Sequence, residues 1–454
     1  MRVLLVSTYE LGHQPLHLAS PAARLIGEGH DVKCLDLAVE EWDEPGFQTA
    51  EAVAFSVPMH TAMRLAVQAA SRLRSARPDL PIAFYGLYAA IGADRTVGRL
   101  ADCLIVGEYE DELVAWVAGL DKPGEVQSGT VRVDLGRKSF AAPARHLLPA
   151  LENYARLETE GEARLAGYVE ASHGCRHRCR HCPIPAVYDG RYRVTGLNTV
   201  LADIAVLVGL GARHITFGDP DFLNAPRYAM DVLREANVSF PDLTFDLTVK
   251  VEHILDHRDL WPEVARRNVV FVVSAYETTN NHVLEVLDKG HTVTDMAEAA
   301  RVMREAGIQL RTSWMPFTPL TDPGDPGAIF DFLIDLDLLA TVDPVQLSIR
   351  LLIPDGSLIL GSEMAPFIEE YDADALTYHW RARDPRVDEL QRSLALIAEA
   401  GGTDQQSTIR QMWTRVRPGS PAPAWSETRP TRLTESWFCC AEPTSQQLLR
   451  VGPK

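Results

Sequence analysis

The sequence is short of positive charge and has no long apolar run. Its 44 lysines and arginines face 62 aspartates and glutamates, a formal charge of −18. That balance argues against a broad nucleic-acid or anionic-membrane surface, because both recruit net basic patches. No stretch reaches the ~18 uncharged apolar residues of a membrane helix. The opening run, Val3 to Val6, is too short for a secretory leader. The expectation is a cytoplasmic protein with neither a membrane nor a nucleic-acid partner. Cysteine is also scarce, seven residues in 454, and five of the seven sit in two tight groups. That excludes a spread disulfide framework and points to thiol chemistry at two places. No internal repeat is visible at a fixed period.

The chain is longer than one hydrophobic core usually serves. Residues 1–145 alternate short apolar runs (2–7, 31–37, 52–57, 81–86, 103–108) with helical patterns such as 61–75. Alternating strands and helices predict a parallel, doubly wound sheet, whose ligands bind at the strand carboxyl ends. Residues 146–165 read as a linker. From 166 to 365 a second rhythm begins, with candidate strands at 167–172, 214–219, 243–250, 269–277, 309–317 and 344–354. Six βα units in series predict an α/β fold with a partial (β/α)6 barrel and functional residues at the strand ends. Residues 366–454 read as a C-terminal extension with one helix near 386–401 and a proline-rich stretch at 417–430.

The first thiol group lies directly after the first barrel strand. Cys175, Cys179 and Cys182 stand in a C-x3-C-x2-C spacing within ASHGCRHRCRHCPIP. Three thiolates satisfy three irons of a cubane cluster and leave the fourth open. Zinc is the alternative, with His173, His177 or His181 as the fourth ligand. Cys34 and Cys103 fall on predicted strands and read as core.

This motif resembles the signature of the radical S-adenosylmethionine (SAM) superfamily, over about 166–360. The resemblance implies a 4Fe–4S cluster on Cys175, Cys179 and Cys182 that reduces bound SAM and breaks one of its C–S bonds. It also implies an electron donor such as flavodoxin or ferredoxin. Further segments carry the likeness: FGDPDFLN (217–224), SAYETTNNHVLEVLDKGHT (274–292), SWMPFTPLTD (313–322) and IPDGSLI (353–359). They nominate Gly218, Asp219, Asp221, Glu277 and Pro354 as SAM contacts, and Lys250 and Arg311, on the third and fifth candidate barrel strands, are further candidates. Two departures stand out: the family's Gly-Gly-Glu is Gly218-Asp219-Pro220 here, and its glycines after the fifth strand are missing.

Residues 1–120 resemble the cobalamin-binding-type domain that precedes many such barrels. The D-x-H-x-x-G motif is absent, and Gly86-Leu87-Tyr88-Ala89 replaces Gly-Gly-x-His. Cobalamin therefore stays open as a cofactor, and His13, His17 and His60 read as polar lining. The tail carries the second thiol pair, Cys439-Cys440, in SWFCCAEP. Adjacent thiols chelate a soft centre such as trivalent arsenic, or cycle as a strained disulfide; packing of the pair beside Trp437 and Phe438 is the alternative. CCAEP is similar to the hallmark of a radical SAM group named for that tail, and the architecture is similar to the radical SAM enzyme of arsinothricin biosynthesis. These likenesses make Cys439 and Cys440 the catalytic candidates. They imply a small-molecule or metalloid substrate alkylated with the 3-amino-3-carboxypropyl group of SAM, or, alternatively, a cobalamin-dependent methylation of an organic substrate.

Overall fold

The computed structural model describes residues 1–454 except 121–128, 137–138, 160, 402–403, 426–429, 436–441 and 453–454. Two parallel sheets organise it. The first contains β1 (Arg2–Ser7), β2 (Asp31–Asp36), β3 (Ala52–Ser56), β4 (Ile82–Tyr85), β5 (Cys103–Gly107) and β6 (Thr130–Asp134), in the order β2-β1-β3-β4-β5-β6. Strands β3, β4 and β5 are buried at every position, as continuous apolar runs covered on both faces must be. Cys103 is part of this core, and Cys34 packs against it. The order reverses between β1 and β3. That makes their carboxyl ends the switch point, where a doubly wound sheet opens its crevice.

The residues read as a linker are structured. They include β7 (Arg156–Thr159), antiparallel to β8 (Glu162–Val169), the first barrel strand. A short ribbon follows, β9 (Ser172–Gly174) against β10 (Tyr192–Val194). Then come β11 (His214–Phe217), β12 (Thr244–Thr248), β13 (Val269–Glu277) and β14 (Gln309–Trp314). The sheet runs β14-β13-β12-β11-β8-β7, so five parallel strands curl into a half-barrel with a hairpin on one edge.

The sixth barrel strand expected at 344–354 does not form. Pro344–Ser348 is a 3-10 turn, and only Phe317 and Arg350 bridge beyond it. The side chain of Gln346 takes the strand's place, accepting from the Trp314 N–H at 3.2 Å. Proline at the start of the segment offers no N–H to a ladder.

The intervening helices follow local signals. Val293–Ala306 opens on a capping box between Thr292 and Asp295 and closes on Gly307 at φ 71°, the left-handed stop that glycine permits. The extension adds helices Pro385–Ala400 and Gln405–Val416, the hairpin β15 (Ile368–Asp372) and β16 (Thr377–Trp380), and β17 (Arg432–Leu433), which joins the barrel sheet beside β7. The last helix, Ser445–Val451, returns to the first domain, where Val451 is buried in its core.

Candidate functional site

The cysteine loop leaves β9 at Gly174, whose φ is 74°. A Cβ there would meet the Arg191 carbonyl at 2.6 Å and the Tyr188 ring at 2.7 Å, so only glycine fits. The loop closes on Cys182, which caps the helix Pro183–Tyr188. The Arg180 N–H donates to the Leu287 carbonyl at 2.9 Å, and its guanidinium donates to the Val286 carbonyl at 3.1 Å. These bonds pin the loop to the fourth-strand connection.

Cys179 is buried, and Cys175 and Cys182 are half-buried. Burial, reinforced by the Asp221 charge, pushes the Cys175 thiol up to about 11. The Lys289 ammonium, itself buried, feels the charges of Cys179 and Cys182. A thiol such as Cys175, held back from ionising until a cation arrives, is suited to a soft metal cluster. Among the described residues, the set gathered tightly enough for a single ion is His177, Asp221 and His253. The three cysteines are not part of that set.

The strand-end candidates surround this loop. Gly218 follows β11, and any Cβ on it would overlap the Tyr168 ring. The Asp219 carboxylate accepts from the Ala171 N–H at 2.9 Å and the Ser172 hydroxyl at 2.5 Å. Burial pushes it up to about 7. Glu277 ends β13 in the left-handed region, at φ 64°. Burial would raise this carboxyl, but Lys289 at 2.9 Å and His181 at 3.2 Å outweigh it and hold the group ionised. Lys250 reaches His177 Nδ1 and Glu252, both at 3.1 Å. Pro354 is buried in a turn closed by the Ser357 N–H. Arg311 stands apart: it lies in the first half of β14, opposite Val273, and its guanidinium is taken by Asp343 at 3.1 Å and the Thr431 carbonyl at 3.3 Å.

Sequence reasoning missed a chain of buried ionisable groups between the two sheets. Glu10, after β1, meets His17 at 3.0 Å; His17 meets Glu170 at 3.3 Å; Glu170 meets His173 at 3.3 Å; His173 meets Glu108, after β5, at 2.9 Å. Burial alone would strip the His173 proton, but Glu108 and Glu170 outweigh it and raise the imidazole to about 10. Protonated histidines thus bridge carboxylates from the ends of β1, β5 and β8. The available signal was position: each glutamate stands just beyond a strand end. His13, read as lining, is buried and stacks on Tyr168 at 4.8 Å.

The tail residues that bracket the thiol pair are held at the switch point. The Tyr9 hydroxyl, just beyond β1, donates to Glu435 at 2.8 Å. His60, the first residue of the helix His60–Ala76 that follows β3, lies 3.3 Å from Glu442, and Arg64 pairs with the same carboxylate. Cys439 and Cys440 lie outside the described residues. A cavity of about 500 Å³ opens beside these anchors, lined by Thr8, Tyr9, His13, Tyr154, Glu435 and Arg450. Among the described residues, no helix is long and apolar enough to cross a membrane.

Residues 169–333 match the model of the Radical SAM superfamily. No curated protein matches the sequence. Solved structures share the fold. OxsB, a cobalamin-dependent SAM radical enzyme seen with aqua-cobalamin, superposes with a TM-score of 0.66 at 15% identity, over 86% of this chain and 66% of OxsB. TsrM, a radical SAM methyltransferase from Kitasatospora setae seen with tryptophan and a SAM analogue, gives 0.58 at 19% identity, over 74% of this chain and 71% of TsrM. This chain thus spans just under two thirds of OxsB. Residues 169–333 thus carry a Radical SAM domain behind a doubly wound N-terminal domain, and that domain implies SAM-dependent chemistry with a 4Fe–4S cluster.

Proposed function

We propose that the enzyme transfers an alkyl group of SAM, the 3-amino-3-carboxypropyl group, to a thiophilic acceptor held by Cys439 and Cys440, trivalent arsenic being the representative case. The observation that carries this reading is the anchoring of the tail. Glu435 and Glu442 flank the thiol pair and are tied to the ends of β1 and β3, the crevice where such sheets hold ligands.

Cys175, Cys179 and Cys182 would hold the cluster, which supplies the electron that breaks a C–S bond of SAM. Gly218, Asp219, Lys250, Glu277 and Pro354 are assigned to the SAM pocket. Arg311 is left to its ion pair with Asp343. The protein's own contribution is to align one C–S bond with the cluster and to exclude water. Anaerobic incubation with SAM, reductant and arsenite tests this. The expected products are 5′-methylthioadenosine and an arsenic species bearing carbon from SAM. Formation of 5′-deoxyadenosine alone, or normal turnover by a Cys439→Ser, Cys440→Ser double variant, overturns it.

A second reading is a cobalamin-dependent methylation of an organic substrate. It draws on the fold shared with OxsB and TsrM and on the sheet order of the first domain. It requires purified protein to keep cobalamin, seen by absorbance, after desalting. Protein that keeps its cluster but never cobalamin overturns it.

A further inference from the structure

His177 sits between the first two cluster cysteines, yet its Nε2 lies 3.2 Å from Asp221 Oδ2. His253 Nδ1 lies 2.7 Å from the same oxygen. One ligand atom from each of the three residues falls within 4.8 Å of the others. All three atoms are buried, and none has a hydrogen-bond partner of acceptable geometry. Asp221 spends its other oxygen on the Leu223 N–H, closing the turn Phe222–Asn224. Oδ2 is left to the two imidazoles, which approach it at 2.7 and 3.2 Å. The residues come from three successive strand ends: the cysteine loop after β8, the turn after β11, and the helix Val251–Asp256 after β12.

We propose that His177 Nε2, Asp221 Oδ2 and His253 Nδ1 bind one divalent transition-metal ion, zinc in the first instance, distinct from the cluster on the cysteines. Two imidazoles and a carboxylate form a borderline donor set that suits zinc or ferrous iron and discriminates against the hard ions calcium and magnesium. Three protein ligands leave a coordination position open, the pattern of sites that also take water or a substrate oxygen. The outer partner requires a local exchange, because the Lys250 ammonium now donates to His177 Nδ1 at 3.1 Å and Glu252 must close on that nitrogen in its place. Glu252 lies 3.7 Å from His177 Nδ1 and accepts its proton when Nε2 turns its lone pair to the ion. Lys250, now 3.1 Å from that Nδ1, keeps its 3.1 Å contact with Glu252 instead. This assigns Asp221 to the ion rather than to SAM, and ties the cysteine loop to the neighbouring strand ends. It is independent of the acceptor proposed above.

The test uses full-length protein with its cluster reconstituted anaerobically, then equilibrated with zinc sulfate and desalted. Metal analysis should find one zinc per chain beside the cluster iron. Zinc-edge X-ray absorption should show nitrogen and oxygen ligands with imidazole scattering and no sulfur. His253→Ala and Asp221→Asn should each lose the zinc and keep the cluster iron. An extra iron in place of zinc, lost in the same variants, supports the same site. Wild-type protein that retains no additional metal, zinc bound by sulfur, or undiminished zinc in both variants overturns it.

Discussion

Asp36 ends β2 with a carboxylate that accepts from the Tyr154 hydroxyl at 2.9 Å and the Ala38 N–H at 3.1 Å. Burial outweighs those bonds and pushes it up to about 7. Its ordinary value is about 3.9. Between the two values the unfolded chain has shed a proton that the folded chain keeps. Stability from this group is therefore fully present below about pH 4 and is lost as pH rises through about 7, a swing of up to about 4 kcal/mol. Asp36→Asn should gain stability relative to the parent between about pH 5 and about pH 8, read by chemical denaturation at both. An equal difference at the two pH values would contradict this. At the same scale, the C-x3-C-x2-C motif of Cys175, Cys179 and Cys182 was legible in the sequence because its spacing is local. His253 was not: it lies 32 residues beyond Asp221, and no spacing rule joins residues across two strand ends.

The joints between elements rest on few contacts. Arg145 is fully buried and forks onto Asp203 at 2.9 and 2.8 Å, with its remaining N–H groups on Gln14 and the Tyr168 carbonyl. It ties the linker, the first domain and a barrel helix together. Arg145→Met leaves the Asp203 carboxylate buried without a partner and should cost about 3–5 kcal/mol. Lysine should not rescue it, because the fork is lost. Denaturation midpoints of both variants check this. Gly218→Ala forces the Tyr168 ring, and its bond to Glu170, out of place. About 1–3 kcal/mol is expected, as for an overpacked core, read the same way. Strands β1 to β5 were legible as apolar runs between turn signals. The sixth barrel strand was misread because Pro344–Ser348 carries the same apolar pattern; the choice was made by the Gln346 side chain, which occupies the ladder position on β14.

For the whole molecule, the C-terminal tail matters most. Val451, Glu435 and Glu442 bring it back to the first domain, closing the cavity at the switch point. Burial of Val451 alone contributes about 1.5–3 kcal/mol. Deleting residues 435–454 should speed amide exchange in the loops after β1 and β3 by roughly tenfold or more and leave the barrel strands unchanged. Unaltered exchange at those loops would show that the tail does not bind there.

The sequence by itself determined the parallel α/β architecture and the cysteine motif. Both are written in neighbouring residues: buried runs that only a covered parallel sheet accepts, and three thiols within eight positions. The tertiary structure alone decided how distant residues meet. It set the tail at the ends of β1 and β3, the protonated histidines between carboxylates of two sheets, and His177, Asp221 and His253 around one point. Those meetings depend on strand order and on burial, which raises or lowers a charge only once the surrounding chain has excluded water.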